Sequence, residues 1–308
     1  MTAAAGAAAL RWGAGSTGSR LVTGSTELHA ELEAELAGFC GFEAALVFSS
    51  GYAANLAAVT ALTGRDAVIV ADAGNHASLI DGCRLSRAEV AVAPHADPEA
   101  VDKAFDQCAA PAAGPWPSPT RSSPWTGTRP RWRARRRVPG HGAALLMDDA
   151  HGLGCWAGRA RRVGRRRLAG APDMVVTVTL SKALGSQGGA VLGSARVVQH
   201  LVNTARTFIF DTGLNPAAAG AALPRCGCCA GTRRAARAGG RRRVARAADG
   251  GGLSAVRPDA AVVSVRAPRR SGRCGGRRSA GPRGRRGLLP AAVGDRRVSR
   301  LRLRPART

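Results

Sequence analysis

The sequence predicts an α/β fold, in which a mostly parallel sheet carries helices on both faces. Apolar runs of strand length recur along the chain at residues 44–48, 67–71, 143–147 and 174–180. Segments with helical spacing of apolar residues lie between the earlier runs, and this alternation indicates parallel strands joined by crossover helices. At 308 residues, the chain is long enough to bury such a core.

The first helix is predicted over residues 26–39. Glutamates fill its other positions, while its apolar residues recur at helical spacing: Leu28, Leu32, Leu36 and Phe39. His29 lies on this helix, where a structural role is at least as reasonable as a functional one.

Residues 49–56 (SSGYAANL) follow the strand at 44–48 and enter the next helix. Small residues at a helix start leave backbone N–H groups for an anion, or form a capped helix without a ligand.

Two polar loops follow later strands. Residues 72–79 (DAGNHASL) follow the strand at 67–71 and contain His76, which the residues alone would leave as a solvated loop histidine. A further strand is predicted around Val90 and Val92. Residues 148–154 (DDAHGLG) follow the strand at 143–147. Carboxylates at a strand's carboxyl end lie where α/β folds bind ligands, although a capping aspartate and a solvated histidine would look the same.

A lysine follows the last of these strands, in residues 179–185 (TLSKALG). Arginine could serve any surface role here, but only lysine can form a Schiff base once its pKa is lowered. From this stretch alone, Lys182 can be interpreted equally well as a Schiff-base lysine or as a surface lysine at a strand end. A strand ending in DDAH and, about thirty residues later, a strand ending in TLSK form a much more specific pair.

These two motifs resemble those of the α-oxoamine synthase family of pyridoxal phosphate enzymes, which have the fold-type I aminotransferase architecture. Residues 11–20 (RWGAGSTGSR) resemble the family's glycine-rich loop near the substrate, and no strand precedes them as a dinucleotide site requires. The resemblance covers roughly residues 11–107, 141–154 and 168–223. Gly152 after His151 and Ser181 before Lys182 are closer to the biotin-pathway branch than to glycine acetyltransferases, 5-aminolevulinate synthases or serine palmitoyltransferases.

The resemblance implies a set of catalytic and cofactor-binding residues. Lys182 would form the Schiff base with pyridoxal phosphate and remove the amino-acid α-proton. Asp148 would keep the pyridine nitrogen protonated, His151 would hydrogen-bond the ring hydroxyl, and His76 would stack on the ring. The remaining expected contacts are to the phosphate, from Gly51, Tyr52, Thr179 and, across a homodimer interface, Thr212. Arg302 matches the family's arginine for the amino-acid carboxylate.

The implied reaction is the condensation of L-alanine with pimeloyl-CoA or a pimeloyl carrier protein, with loss of CO₂. Two alternatives stay open: another α-oxoamine synthase, such as a glycine C-acetyltransferase, and a non-catalytic arginine-rich protein that binds polyanions. The formal charge of +26 is the observation that favours the polyanion-binding alternative. The basic residues are confined to blocks at 108–141, 159–167 and 225–308, however, and the rest of the chain is net acidic. This distribution argues against nucleic acid as the partner.

The basic blocks are rich in Arg, Gly, Pro and Ala and lack the periodicity of helices or strands. We interpret them as frame errors in a GC-rich gene; the rival interpretation is a genuine disordered insert and tail. The expected organisation is a cofactor-binding large domain at 1–224, aberrant at 108–141 and 155–167, and a degraded small domain at 225–308. Family members also carry a segment before the match begins. We therefore expect an unstable chain with little activity.

The composition also limits the cellular setting. No run of 18 apolar residues indicates a membrane span, and the N-terminus lacks the pattern of a signal peptide. A cytoplasmic location is the expectation. Of the eight cysteines, only those at 226–229 cluster, and no second pair completes a zinc site. No metal is therefore expected.

Overall fold

The computed structural model describes residues 1–107, 143–153 and 171–228, and three strand segments at 263–268, 285–289 and 298–304. The helices are α1 (Thr2–Trp12), α2 (Glu27–Cys40), α3 (Gly51–Leu62), α4 (Ala77–Ser86), α5 (Pro98–Gln107), α6 (Ala195–Thr204), α7 (Arg206–Ile209) and α8 (Pro216–Cys228). The strands are β1 (Ala44–Phe48), β2 (Val68–Asp72), β3 (Glu89–Ala93), β4 (Leu145–Asp148), β5 (Met174–Thr179), β6 (Gly189–Gly193), β7 (Val263–Pro268), β8 (Arg285–Leu289) and β9 (Val298–Arg304).

The larger sheet of the described N-terminal part has the strand order β1-β6-β5-β4. Strands β4 and β5 pair in parallel, whereas β6 runs antiparallel to both β5 and β1. Strands β1, β4 and β5 therefore share one direction. The reversal of β6 follows from the short connection after β5, because a parallel return would need a crossover of a dozen or more residues. Strands β2 and β3 form a separate parallel pair.

Alternate residues of this sheet face two hydrophobic clusters. One cluster joins residues such as Val47, Met147 and Val176 to the buried faces of α2 and α8. The other joins Leu46 and Val175, among others, to α3, α4, α6 and α7. Side chains alternate between the two faces of a strand, so both faces of the sheet are covered by helices. The predicted α/β class and its helices on both faces are confirmed.

Helix α2 begins with a capping box that uses a histidine. His29 Nδ1 accepts a hydrogen bond from the backbone N–H of Thr26 at 3.2 Å, so the ring proton lies on Nε2. Nε2 then donates to the carbonyl oxygen of Leu214 at 2.7 Å. Ser16 Oγ donates to the same oxygen at 2.6 Å. The His29 side chain is fully buried and joins distant parts of the chain, which is the structural role weighed above.

Several elements of this part of the molecule were not predicted. Helix α1 forms from an alanine-rich stretch and packs on α8, where a Cβ on Gly220 would lie 2.7 Å from Ala8 Cβ. The small residues allow the two helices to approach closely. Strand β6 with its reversed direction and the helices α6, α7 and α8 were also not predicted. Among the described residues, no helix combines the length and apolar character needed to cross a bilayer.

The last three described strands form an antiparallel sheet in the order β7-β9-β8. Strand β9 contains Arg302, whose backbone is paired with Ser264 on one side and Gly287 on the other. The assignment of Arg302 to the substrate carboxylate depends on its side chain, which lies outside what the structure describes, and stays a prediction. The basic blocks at 108–141 and 159–167 also lie outside the described residues.

Candidate active site

The carboxyl ends of β4 and β5 bring the two sequence motifs to one edge of the sheet. Asp148, the last residue of β4, is paired in register with Thr177 of β5. Lys182 follows the end of β5 by three residues and is half-buried. Parallel strands present their carboxyl ends at the same edge, so this edge carries both a buried carboxylate and a lysine amine.

Helix α3 points its N-terminus at the same edge. Its N-cap, Ser50, accepts a hydrogen bond from the N–H of Ala53 through Oγ at 3.0 Å. The N–H groups of Gly51 and Tyr52, the first two residues of the helix, have no acceptor within the helix by its geometry. Together with the positive end of the helix dipole, they are suited to bind an anionic group. The helix start thus has the backbone geometry that the anion site needs, and the site itself stays a prediction.

Close packing fixes this helix start against the sheet. A Cβ on Gly51 would lie 3.0 Å from Thr179 Cβ, and one on Gly189 would lie 2.5 Å from Gly51 Cα. Thr179 Oγ1 lies 2.7 Å from Ser181 Oγ and donates to the Gly188 carbonyl oxygen at 3.1 Å. Gly51 and Gly189 are thus required for helix α3 to begin directly over the carboxyl end of β5 and the first residue of β6. Gly51, Tyr52 and Thr179 thus lie together, and their contacts to a phosphate stay a prediction.

The Asp148 carboxylate is buried and held by two donors. Its Oδ2 accepts from Asn55 Nδ2 at 3.1 Å, and its Oδ1 accepts from the backbone N–H of Ala150 at 2.9 Å. The side chain is only 5% exposed. Both oxygens therefore keep a fixed direction, and each retains a lone pair for a further donor.

His76 is the N-cap of α4 and lies beside the same polar group. Its Nδ1 accepts from the backbone N–H of Ser78 at 3.2 Å and lies 2.7 Å from Ser78 Oγ. Ser78 Oγ also accepts from Asn55 Nδ2 at 2.8 Å. Hydrogen bonds thus connect His76 to Asp148 through Asn55 and Ser78, neither of which was assigned a role from the sequence. Their only sequence signal is polarity at positions that helical spacing places toward the core.

The loop that carries His76 is held by a second polar contact. Asp72, at the end of β2, accepts from the N–H of Gly74 at 2.7 Å and from that of Ala96 at 2.9 Å. His95 Nδ1 lies 2.8 Å from its Oδ1. Burial raises the pKa of Asp72, but the bonds from His95 and the two N–H groups outweigh it and lower the pKa. The carboxylate therefore ties the ends of β2 and β3 together.

His151 lies in the turn after β4 and is buried beside the end of the sheet. The N–H groups of Gly152 and Leu153 both donate to the Asp149 carbonyl oxygen, so residues 149–153 form a single helical turn. A Cβ on Gly152 would lie 1.8 Å from Asp149 Oδ1, so glycine is needed there. The turn thus holds buried His151 close to the carboxyl end of β4.

Two predicted phosphate contacts reach the surface. Thr212 is exposed and forms an antiparallel bridge with Ser19. The preceding residue, Asp211, accepts a hydrogen bond from Ser49 Oγ, which places this loop next to the start of α3. Tyr52 directs its hydroxyl to Asp81, and this hydrogen bond raises the pKa of the phenol. Tyr52 can therefore serve the anion site through its N–H and not through its side chain.

The chain matches the family model named "Aminotransferase class I and II" over residues 1–279. The chain belongs to this family. It is 58% identical to 8-amino-7-oxononanoate synthase of Mycobacterium leprae over 218 residues, which are 70% of this chain and 56% of the relative. The corresponding enzyme of Mycobacterium avium is 55% identical over 223 residues, 70% of this chain and 57% of the relative. The chain thus spans a little over half the length of these relatives.

Solved structures agree with this family assignment. Serine palmitoyltransferase of Sphingomonas wittichii matches with a TM-score of 0.86 and 27% identity, over 99% of this chain and 77% of that one. A serine palmitoyltransferase structure that contains pyridoxal phosphate matches with a TM-score of 0.86 and 25% identity, over 99% and 78%. The 8-amino-7-oxononanoate synthase of Francisella tularensis, at 20% identity, shares the fold with a TM-score of 0.73, over 99% and 86%. The predicted fold-type I architecture is confirmed.

Proposed function

We propose that this aminotransferase-family chain is a pyridoxal phosphate-dependent acyltransferase of the 8-amino-7-oxononanoate synthase type. The observation that supports it best is the meeting of Asp148, Lys182 and the N-terminus of α3 at one sheet edge. The curated relatives named above carry this function in their names. We further propose that it acts as a cytoplasmic homodimer.

The residues present fit pyridoxal phosphate. The start of α3 offers the backbone N–H groups of Gly51 and Tyr52 as donors for a phosphate. Asn55 Oδ1 and Thr177 Oγ1, both buried near Asp148, find no hydrogen-bond partner among the described residues. Polar atoms of this kind are expected beside a polar ligand. Lys182 would supply the amine that holds the cofactor through its aldehyde carbon.

When bound, pyridoxal phosphate supplies an electron sink for charge on the amino-acid α-carbon. Asp148 Oδ2 or Oδ1 would hold a proton on the pyridine nitrogen, because the carboxylate is buried and fixed by Asn55 and Ala150. Lys182 Nζ would take the α-proton of L-alanine. A reaction of this type would join the α-carbon to the acyl carbon of the pimeloyl thioester, with release of the thiol and of CO₂. Lys182 Nζ would be the group that removes the proton from that carbon and returns one to it.

The test combines spectroscopy with substrate choice. The chain should acquire the visible absorbance band of lysine-bound pyridoxal phosphate, and Lys182→Ala should remove both the band and the activity. Thiol release should be faster with L-alanine and pimeloyl-CoA than with glycine and acetyl-CoA, the substrates of the alternative acyltransferase. A retained band in Lys182→Ala, or a preference for the second pair, would contradict the proposal. Binding of polyanions without any band would favour the non-catalytic alternative.

A further inference from the structure

Two buried side chains connect the carboxylate of β4 to the histidine at the start of α4. Asn55 Nδ2 lies 3.1 Å from Asp148 Oδ2 and 2.8 Å from Ser78 Oγ. Ser78 Oγ lies 2.7 Å from His76 Nδ1. We refer to Asn55 and Ser78 as the Asn55–Ser78 bridge. It joins residues from three separate elements: α3, α4 and β4.

The direction of every hydrogen bond in this bridge can be deduced. A backbone N–H can only donate, so the Ser78 N–H, 3.2 Å from His76 Nδ1, makes that nitrogen an acceptor. The ring proton must then lie on Nε2, and the Ser78 hydroxyl donates to Nδ1 as well. Ser78 Oγ accepts one N–H of the Asn55 amide, and the other amide N–H goes to Asp148. The same amide therefore orients the Asp148 carboxylate and the Ser78 hydroxyl, and Ser78 in turn orients His76.

Burial makes this arrangement hard to replace. Ser78 is fully buried and Asn55 is 4% exposed. Water cannot readily substitute for a lost partner at such positions, and hydrogen bonds are stronger in surroundings of low polarity. The bridge therefore fixes side-chain orientation and tautomer together, and either substitution should disturb both ends.

The bridge has a consequence for the cofactor, which rests on the function proposed above. A pyridine ring whose nitrogen is kept protonated by Asp148 carries positive charge. A protonated imidazole stacked on that ring would repel it, whereas a neutral imidazole does not. We propose that Asn55 and Ser78 are positioning residues, which hold Asp148 as an acceptor and His76 as the neutral Nε2–H tautomer for stacking on pyridoxal phosphate.

The first test uses the full chain without cofactor. Ring ¹⁵N shifts distinguish the two neutral tautomers, and the His76 signals can be assigned by their loss in His76→Gln. In the unmodified chain, we expect the Nε2–H form. In Ser78→Ala, we expect a mixture of tautomers, because the closer donor to Nδ1, the hydroxyl at 2.7 Å, is gone and only the backbone N–H at 3.2 Å remains. Ser86→Ala is the matched control: Ser86 is a buried serine on the same helix that donates to Cys83 O at 2.7 Å and takes no part in the bridge.

The second test measures pyridoxal phosphate affinity from the absorbance band. Asn55→Ala and Ser78→Ala should each weaken binding about tenfold, as expected for a lost hydrogen bond in a buried network. The double variant should also lose about tenfold, and not about a hundredfold, because both residues belong to one bridge. Thermal unfolding of each variant identifies any that has lost its fold, and Ser86→Ala should bind as the unmodified chain does.

The outcomes separate the bridge from the proposed function. An unchanged His76 tautomer in folded Ser78→Ala, an equal change in Ser86→Ala, or multiplicative losses in the double variant would overturn the positioning role. Failure of the unmodified chain to take up pyridoxal phosphate would overturn the proposed function and, with it, the role toward that cofactor. The ring measurement, made without cofactor, still decides whether the bridge sets the tautomer.

Discussion

Asp148 has two oxygens directed by protein donors, and its charge is what the proposed chemistry needs. Asp148→Asn should leave pyridoxal phosphate bound, since Lys182 and the start of α3 are untouched. Turnover should fall about 10- to 100-fold, because a neutral amide cannot hold the pyridine proton. Thiol release measured with saturating L-alanine tests this. Asp173→Asn, at the opposite end of β5, should keep full turnover, and equal rates for all three proteins would exclude the role.

His29 offers a test by pH. Burial lowers the pKa of His29 below its ordinary value of 6.5, the charge of Arg20 lowers it further, and the bond to Leu214 raises it in part. A lowered pKa in the folded state means that the unfolded chain binds more protons. The stability from neutral His29 is therefore present above about pH 6.5 and is lost as the pH falls through the lower folded pKa.

The melting temperature should thus decrease as the pH is lowered from about 7.5 to 5.5. In His29→Gln this decrease should be smaller, because glutamine at this position keeps the capping box and does not titrate. Thermal unfolding at several pH values gives the slope for both proteins. Identical slopes would show that His29 does not control stability in this range.

At the scale of elements, the start of α3 depends on a backbone contact with β6. Gly189→Ala places a Cβ 2.5 Å from Gly51 Cα, so one of the two must move. We expect a loss of about 1–3 kcal/mol in the free energy of unfolding and weaker pyridoxal phosphate binding. Gly38→Ala, on the exposed side of α2 with open space around its Cα, should instead stabilise by about 0.5–1 kcal/mol. Denaturant unfolding measures both, and an unaffected Gly189→Ala would show that the contact can relax.

The elements that local patterns specify were predicted well. Strand β1 has the predicted bounds, and α2 differs from its prediction by one residue at each end. Both could be predicted because the apolar residues that a strand or a helix buries follow a pattern within a few consecutive positions of the sequence. Strand β6 was not predicted, and its direction could not have been read in this way, since a short apolar run such as Gly189–Gly193 carries no signal of direction. Helix α1 lacks a polar face, and its stability comes from packing on α8.

In the candidate site, too, the features specified by local sequence were predicted and those that depend on packing were not. Asp148 and Lys182 could be found because strand ends in α/β folds meet at one edge. Asn55 and Ser78 could not be given roles, because their contacts join residues 93 and 23 positions apart. Such contacts depend on how helices pack, which no local pattern encodes. The structure shows where Asp148 and Lys182 lie, but their roles, like those of Thr212 and Arg302, stay predictions.

At the scale of the whole molecule, exposed Thr212 suggests a test for shared sites. If Thr212 serves the partner's site, then Thr212→Ala and Lys182→Ala subunits, each inactive alone, should complement each other. A hybrid dimer would contain one intact site and one doubly altered site. After mixing by denaturation and refolding, we expect about a quarter of the normal turnover, since half of random dimers are hybrids. Absence of recovery, with hybrids shown by mass, would contradict the shared site.

The basic blocks give a second test at this scale. Replacing residues 108–141, 155–167 and 225–308 by the products of the alternative reading frames should yield a protein with higher stability and faster thiol release. The blocks have few large apolar residues, and domain stability is typically only about 5–15 kcal/mol. Parallel expression, thermal unfolding and assay compare the two versions. Robust turnover by the 308-residue chain as written would contradict the expectation of little activity, and frames without family-like sequence would contradict the frame-error hypothesis.

The shared carbonyl of Leu214 has a consequence for how the polypeptide is made. Its two donors, Ser16 and His29, precede it by 198 and 185 positions. At a translation rate of about 5–20 residues per second, the ribosome needs about 10–40 s to reach Leu214 after it has added Ser16. During that interval helix α2 can form, but the acceptor that His29 Nε2 has in the folded chain, the Leu214 carbonyl oxygen, is absent. The N-terminal loop therefore reaches its final position only late in synthesis.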